Sequence, residues 1–140
     1  MQLKEFLHQY QKLGKSITAL RHRLDELRSY SVDSKSLLNS IGGGKRRASY
    51  TEVITEKIAA AEENILLEID RQLDTMDVIS SMIDSLDDPL QRAIMQYKYL
   101  SGMSWERVCE NLFISLRTCH NIHNKALVKL SYVLNNKKAA

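Results

Sequence analysis

The sequence predicts an all-α protein in which two long N-terminal helices precede a compact unit of three shorter helices. Only one proline and five glycines occur in 140 residues, and alternating β-branched stretches are scarce. Apolar residues recur at helical spacing through most of the chain. The last third also contains strong helix-start signals at Asp88-Pro89, Ser104 and Ser115.

The first predicted helix, residues 1 to about 30, has four consecutive heptads without an apolar gap, which meets the usual threshold for a coiled coil. The eight a and d positions are Leu3, Phe6, Tyr10, Leu13, Ile17, Leu20, Leu24 and Leu27. An a/d seam does not identify its partner. These residues pack either on another subunit, with a homodimer as the favoured oligomer, or on the second helix of the same chain as a helical hairpin.

Residues 31–50 interrupt this pattern with clustered serines, three glycines at 42–44 and a basic triplet at 45–47. Such a composition predicts a flexible linker. A second long helix is predicted over 51–86. Its apolar stripe is Ile54, Ile58, Ala61, Ile65, Ile69, Leu73, Met76, Ile79 and Ile83. We therefore expect a helical oligomerisation region over 1–86 and a separate domain over 87–140.

The domain over 87–140 is expected to begin with Asp88 as N-cap and Pro89 at the first helical position. Its first helix should end near Gly102. Ser104 then caps a short helix that ends at Leu112, and Ser115 caps a longer one. Two helices joined by so short a turn form a helix-turn-helix, which places its second helix in the major groove of DNA.

The last helix has two faces at 100° per residue. Its apolar stripe is Cys119, Ile122, Ala126, Leu130 and Val133. Arg117, Asn121 and Asn124 point the opposite way, with His120 beside them. Arginine pairs with guanine and asparagine with adenine, so these four are the predicted base-reading residues. The predicted DNA-backbone contacts are Arg107, Ser115, Thr118, Lys125 and Lys129.

The distribution of charge agrees weakly with a DNA partner. Residues 87–140 have eight Lys and Arg against four Asp and Glu, a net charge of +4. The first 86 residues have twelve against thirteen, a net charge of −1. Positive charge thus accompanies the helix-turn-helix, where phosphate contacts need it, although an ordinary solvated surface has the same balance.

Several other functions find no support in the sequence. No stretch approaches the roughly 18 apolar residues of a membrane span, and the N-terminus lacks the pattern of a signal peptide. We expect a cytoplasmic protein in which Cys109 and Cys119 are reduced core residues. Zinc bound by these cysteines with His120 and His123 is disfavoured, because the adjacent Cys119 and His120 diverge by about 100° and both cysteines fit the core. His123 lies nearer the apolar stripe and is expected to be a partly buried structural histidine. No nucleophile–base arrangement stands out, so we expect no enzyme, metal or cofactor.

Two motifs make the last third resemble region 4 of bacterial primary sigma factors. These are R-x-I-x-x-x-x-Y-L-x-G-x-S-W-E-x-V at 92–108 and K-A-L-x-K-L at 125–130. Among sigma-like proteins the chain is most similar to small phage-encoded late-gene regulators of the ArpU and RinA type, which share I-S-x-R-T, here at 114–118. The resemblance implies a phage or prophage activator of packaging and lysis genes. The resemblance also implies that the protein binds double-stranded DNA in the bacterial cytoplasm and contacts host RNA polymerase.

The chain departs from the sigma pattern at two positions. Phe113 replaces the usual glycine of the turn, which predicts a turn that avoids the left-handed conformation. Leu116 stands where sigma factors often have arginine, so the target need not be a promoter −35 element. Two other functions stay open: a small-terminase-like packaging subunit that forms a ring, and a coiled-coil adaptor that binds protein such as RNA polymerase.

Overall fold

The computed structural model describes the backbone of residues 2–41 and 44–139 and the side chains of residues 2–31 and 49–135. Each element in these ranges is helical, which confirms the all-α prediction. The elements are α1 (Leu3–Ile41), α2 (Gly44–Asp84), α3 (Pro89–Met95), a π-helical segment (Gln96–Leu100), α4 (Trp105–Leu112) and α5 (Leu116–Ala139). None of the described helices is long and apolar enough to cross a membrane.

The chain divides into two compact units, and the boundaries differ from the expected break after residue 86. The first unit comprises residues 1–12 and 72–140, and the second comprises residues 13–71. The linker expected at 31–50 is also corrected, because α1 and α2 are helical over 31–41 and 44–50. Gly42 and Gly43, and the side chains of the basic triplet at 45–47, lie outside the described residues.

The second unit consists of the helical segments on either side of residues 42 and 43. Ile17 and Leu24 of α1 are buried there, as are Ile54 and Ile65 of α2. An ion pair of 3.1 Å joins the Arg28 guanidinium to the Glu62 carboxylate. Both side chains are about half exposed, so the pair adds little stability, and the buried aliphatic residues are the main stabilising contacts.

The first unit has a larger core, here called the α1 core, in which the ends of the two long helices pack on α3, the π-helical segment and α5. Its buried residues are Leu3, Leu7, Ile79, Ile83, Leu86, Met95, Tyr99, Ala126, Leu127 and Leu130. Phe6 and Tyr10 pack at its edge. The three-helix unit expected over 87–140 therefore shares its hydrophobic core with residues from both long helices.

A second core, here called the α4 core, holds the helix-turn-helix together. Ile94, Val108 and Cys119 are buried at its centre, one from each of α3, α4 and α5. Partly buried residues surround them, among them Leu90, Tyr97, Met103, Trp105, Cys109, Leu112, Ile114 and Ile122. Because α3 contributes Ile94 to this core and Met95 to the α1 core, it packs on two sides.

Local caps fix where α3 begins and where the π-helical segment ends. The Asp88 carboxylate accepts a hydrogen bond from the Leu90 N–H at 2.8 Å, and Pro89 follows it, as predicted. The π-helical segment closes with a bond from the Ser101 N–H to the Gln96 carbonyl at 3.0 Å. Gly102 then adopts φ +70°, which a glycine does without strain.

A side chain from α1 completes this end. The Gln11 amide donates to the Lys98 carbonyl at 2.6 Å and to the Tyr99 carbonyl at 3.4 Å. Helix-terminal carbonyls lack partners within their own helix, so Gln11 satisfies them from another element. The π-helical segment is thus tied to α1 by a polar contact as well as by the α1 core.

Candidate nucleic-acid interface

The first helix of the helix-turn-helix, α4, starts where the sequence predicts but ends in an unexpected conformation. The Ser104 hydroxyl accepts a hydrogen bond from the Arg107 N–H at 3.3 Å and so caps its N-terminus. At the other end Phe113 adopts φ 55° and ψ 44°, the left-handed helical region, and its N–H donates to the Cys109 carbonyl. The expectation that Phe113 would avoid this conformation was wrong, because closing the end of α4 requires it.

The second helix, α5, begins at a serine–threonine cap. The Ser115 hydroxyl oxygen accepts from the Thr118 N–H at 3.2 Å and donates to the Thr118 hydroxyl at 2.9 Å. The predicted N-cap is confirmed. Both side chains are exposed, and they lie at the positive end of the helix dipole. An anion near this end would meet unpaired backbone N–H groups together with two hydroxyls.

Opposite faces of α5 differ sharply in burial. Cys119, His123, Ala126, Leu127 and Leu130 are buried. Arg117, Asn121 and Asn124 are exposed, and at 100° per residue they lie within about 60° of one another. These three residues, which we call the reading line, therefore form a continuous polar surface. The stripe predicted for α5 also included Val133, which is instead exposed.

The reading line has a defined end. Val128 continues the same face of α5 by helical spacing, and it is 70% exposed. Tyr132, one turn further, is 68% exposed. The polar part of this face thus ends at Asn124, and beyond it Val128 and Tyr132 present apolar side chains to solvent.

His120 differs in position from the other predicted base-reading residues. It is half-buried, and its ring centroid lies 4.6 Å from that of Trp105. The Lys98 ammonium lies 4.7 Å from the centre of the same indole ring. His120 is thus packed at the border between the core and the exposed face, beside a cation–π pair.

The buried histidine of α5 has a polar partner that the sequence did not indicate. His123 is buried as predicted, and its Nε2 lies 2.6 Å from the hydroxyl of the buried Tyr99. Burial raises the pKa of Tyr99 to about 12. Burial, with smaller contributions from neighbouring cationic groups, lowers the pKa of His123 to about 4. Both groups are therefore neutral near pH 7 and share one buried hydrogen bond.

By helical spacing alone, Leu90, Ala93, Ile94, Tyr97 and Leu100 form one apolar face of the stretch that precedes α4, and Tyr99 lies off that face. The buried residues Gln91, Met95 and Tyr99 recur at a spacing of four along the same stretch. That second stripe is the sequence signal for the burial of Tyr99, since a helix with buried residues on two sides packs between two cores.

All five predicted backbone-contact residues are exposed: Arg107, Ser115, Thr118, Lys125 and Lys129. The sequence of α5 contains five basic residues and no acidic one. Lys129 lies next to an apolar groove lined by Leu86, Val128 and Tyr132, beyond the end of the reading line. The other four residues lie closer to the reading line in the chain. Ser115, Thr118 and Lys125 are at or within α5, and Arg107 is on α4.

The eight residues predicted for oligomerisation are covered within a single chain. Leu3 is buried, and Phe6 and Tyr10 pack at the edge of the α1 core. In the second unit Ile17 and Leu24 are buried, whereas Leu13, Leu20 and Leu27 are half-buried. This pattern of burial agrees with a helical hairpin, one of the two arrangements expected from the sequence. Packing on another subunit stays a prediction.

The two cysteines are free thiols, with Cys119 buried and Cys109 half-buried. Burial raises the pKa of Cys119 to about 11, so its thiol stays protonated and weakly nucleophilic near pH 7. Within residues 2–31 and 49–135, no three His, Cys, Asp or Glu side chains come together as metal ligands would.

Comparison with known proteins gives one family. A family model described as "Protein of unknown function (DUF1492)" matches residues 30–131, a range that includes α2, α3, α4 and the reading line. Neither the curated proteins nor the solved structures contain a match to the chain. The matched residues make up well over half of the sequence, and the protein therefore belongs to the DUF1492 family.

Proposed function

We propose that this protein is a sequence-specific regulator of transcription that binds double-stranded DNA through α4 and α5. The observation that carries the proposal is the exposed polar face of α5, formed by Arg117, Asn121 and Asn124 on a helix whose opposite face is buried. A helix held in this way presents base-reading groups without having to order itself on binding.

The dimensions of the reading line suit a major groove. Residues 117 to 124 cover about 10 Å of helix axis at a rise of 1.5 Å per residue. The major groove is about 12 Å wide and admits an α-helix. Arg117 is suited to guanine O6 and N7, and Asn121 and Asn124 are suited to adenine N6 and N7. His120 contributes a further contact only if its ring reaches past Trp105.

The surroundings of the reading line favour an anionic partner. The last acidic residue of the chain is Glu110, so every formal charge from α5 onward is positive. Exposed Arg107 and Lys125 are suited to phosphates on either side of the groove, and the Ser115–Thr118 cap is suited to a phosphate at the helix N-terminus.

The biological role and the number of copies bound rest on the resemblance to phage late-gene regulators. By that resemblance the protein activates late phage or prophage genes for packaging and lysis, in the bacterial cytoplasm. Two copies on one DNA site would raise affinity by avidity. A homodimer is the oligomer that the heptads of α1 favour. Light scattering in solution distinguishes a monomer or dimer from the ring of a small-terminase-like subunit.

The test compares two double variants of equal composition. Arg117→Ala with Asn121→Ala removes two members of the reading line, and Arg21→Ala with Asn64→Ala removes the same side chains from exposed positions of the second unit. A duplex is first selected from a random-sequence library with the unaltered protein. We expect the first variant to lose at least about 30-fold in affinity, at roughly 1–3 kcal/mol for each of two base contacts, and the control to bind normally. Equal affinity of both variants would overturn the proposal.

One observation favours a second candidate function, binding of a protein such as host RNA polymerase. The groove lined by Leu86, Val128, Tyr132 and Val133 presents apolar surface beyond the reading line. If this adaptor function is the main one, Val128→Asn abolishes polymerase binding and the unaltered protein shows no salt-dependent affinity for DNA. Cross-linking to purified bacterial RNA polymerase, with Val78→Asn as the exposed control, separates the two functions.

A further inference from the structure

Phe113 stands out in the turn between α4 and α5 because its backbone conformation is strained and its apolar side chain is exposed to solvent. It is 94% exposed, whereas its neighbours Leu112 and Ile114 pack into the α4 core. It is also the one non-glycine residue with positive φ among those that the structure describes. A glycine would close α4 in the same way without strain. The aromatic side chain therefore has no visible role within its own unit.

The position of Phe113 narrows the choice of partner. The two residues are four positions apart in the chain, so the Cα atoms of Phe113 and Arg117 are at most about 14 Å apart. Leu116, between them, is a large apolar residue that is 46% exposed. The other exposed residues nearby in the chain are Glu110, Asn111, Ser115, Arg117 and Thr118. Two apolar side chains among polar and charged groups form a poor protein-docking surface but match a DNA groove, which presents methyl groups among polar base edges.

Resting on the proposed function, we propose that Phe113 contacts the C5-methyl group of a thymine at the edge of the site read by α5. The thymine methyl is the apolar feature of the major groove, and phenylalanine is among the side chains that contact it. Leu112 and Ile114 hold the turn on both sides, so the ring is presented from an ordered backbone. Phe113 then determines specificity for a T·A pair adjacent to the pairs that Arg117 and Asn121 read.

Uracil provides a direct test, because it keeps every hydrogen-bonding group of thymine and lacks only the methyl group. Each thymine of the selected duplex is replaced in turn by uracil, and affinities are measured for the unaltered protein, Phe113→Gly and the control Val78→Ala. Val78 is about half exposed, and it lies on α2 within the same unit. Phe113→Gly should melt no lower than the unaltered protein, because glycine adopts φ 55° freely.

We expect one thymine whose replacement weakens binding about fourfold, the effect of one buried methyl group, in the unaltered protein and in Val78→Ala. Phe113→Gly should bind the thymine duplex at least about fourfold more weakly and be insensitive to that replacement. Phe113→Asn, which also tolerates the left-handed conformation, should behave like Phe113→Gly. Equal sensitivity of all proteins to uracil, or unchanged affinity of Phe113→Gly, would overturn the contact but leave the proposed function intact. Failure of the unaltered protein to select any sequence would overturn both.

Discussion

The Tyr99 hydroxyl and the His123 Nε2 lie 2.6 Å apart and join the π-helical segment to α5 inside the first unit. Two more rings pack against the pair. The ring centroid of His8 in α1 lies 5.5 Å from that of Tyr99, and the ring centroid of Trp105 in α4 lies 4.7 Å from that of His123. Four elements thus meet at one buried hydrogen bond. The contact adds a polar link to the apolar packing that holds α5, and with it the reading line, in place.

Removal of the Tyr99 hydroxyl should destabilise the protein. Tyr99→Phe leaves His123 without its buried partner, and an unsatisfied buried polar group costs about 1–3 kcal/mol. Urea unfolding followed by the fluorescence of Trp105, the single tryptophan, measures the loss. Tyr30→Phe is the control, since Tyr30 is 61% exposed and should give an unchanged midpoint. Equal midpoints for the two variants would show that the Tyr99–His123 bond contributes nothing.

Acidification should destabilise the fold through His123. Its pKa falls from 6.5 to about 4 on folding, first by burial and then by the charges of Lys4, His120, Lys98 and His8. Between these values the unfolded chain takes up a proton that the folded protein excludes, so the stability present above pH 6.5 declines as the pH falls towards 4. The decline amounts to about 3 kcal/mol at pH 4.

The measurement for this pH effect is the unfolding free energy at several pH values, compared between the unaltered protein and His123→Gln. The difference between the two removes the contribution of every other titrating group. We expect the unaltered protein to lose stability more steeply below pH 6.5. If the unfolding free energies of the two proteins fall in parallel with pH, His123 has the same pKa in the folded and unfolded states.

The cap of α5 should contribute to stability independently of DNA. Ser115→Ala removes the acceptor for the Thr118 N–H, at a cost of about 1 kcal/mol. The same substitution at Ser16, an exposed position inside α1, should be neutral or slightly stabilising, because alanine is the better helix former there. Thermal unfolding compares the two. An equal loss of thermal stability in Ser115→Ala and Ser16→Ala would show that the Ser115 cap does not stabilise α5.

Gln91 is a site where a substitution should stabilise the protein. It is buried in α3, and its side-chain oxygen lacks a hydrogen-bond partner. Gln91→Met keeps the length of the side chain and removes the unpaired acceptor, so we expect a gain of about 1 kcal/mol. Gln96→Met, on the exposed side of the neighbouring π-helical segment, is the control and should leave the unfolding midpoint unchanged. A loss of stability in Gln91→Met would indicate that the amide has a structural role.

The features predicted well from sequence are those that depend on neighbours in the chain. Asp88, Ser104 and Ser115 cap their helices because a cap needs only the next two or three residues. His123 was placed in the core by its angle on the helix. The all-α class followed in the same way from composition and spacing.

The features that were missed depend on contacts between distant residues. The heptad pattern of α1 left its partner open, and it could not reveal that Leu3 and Ile83 share one core with residues of α5. Leu73, expected in the stripe of α2, is 48% exposed, and Gln72 faces inward to donate to the Tyr10 carbonyl at 3.4 Å. Phe113 adopts a conformation that its residue type disfavours, because Leu112 and Ile114 are both held in the α4 core.

The salt dependence of DNA binding tests the central claim most directly. The unaltered protein is titrated against its selected duplex at several salt concentrations, and log K is plotted against log[salt]. With the predicted backbone-contact cations Arg107, Lys125 and Lys129 exposed, neutralisation of about three phosphates predicts a slope of about −2.7. A slope near zero, or no preference for the selected duplex over one of scrambled sequence, would contradict DNA recognition by α5.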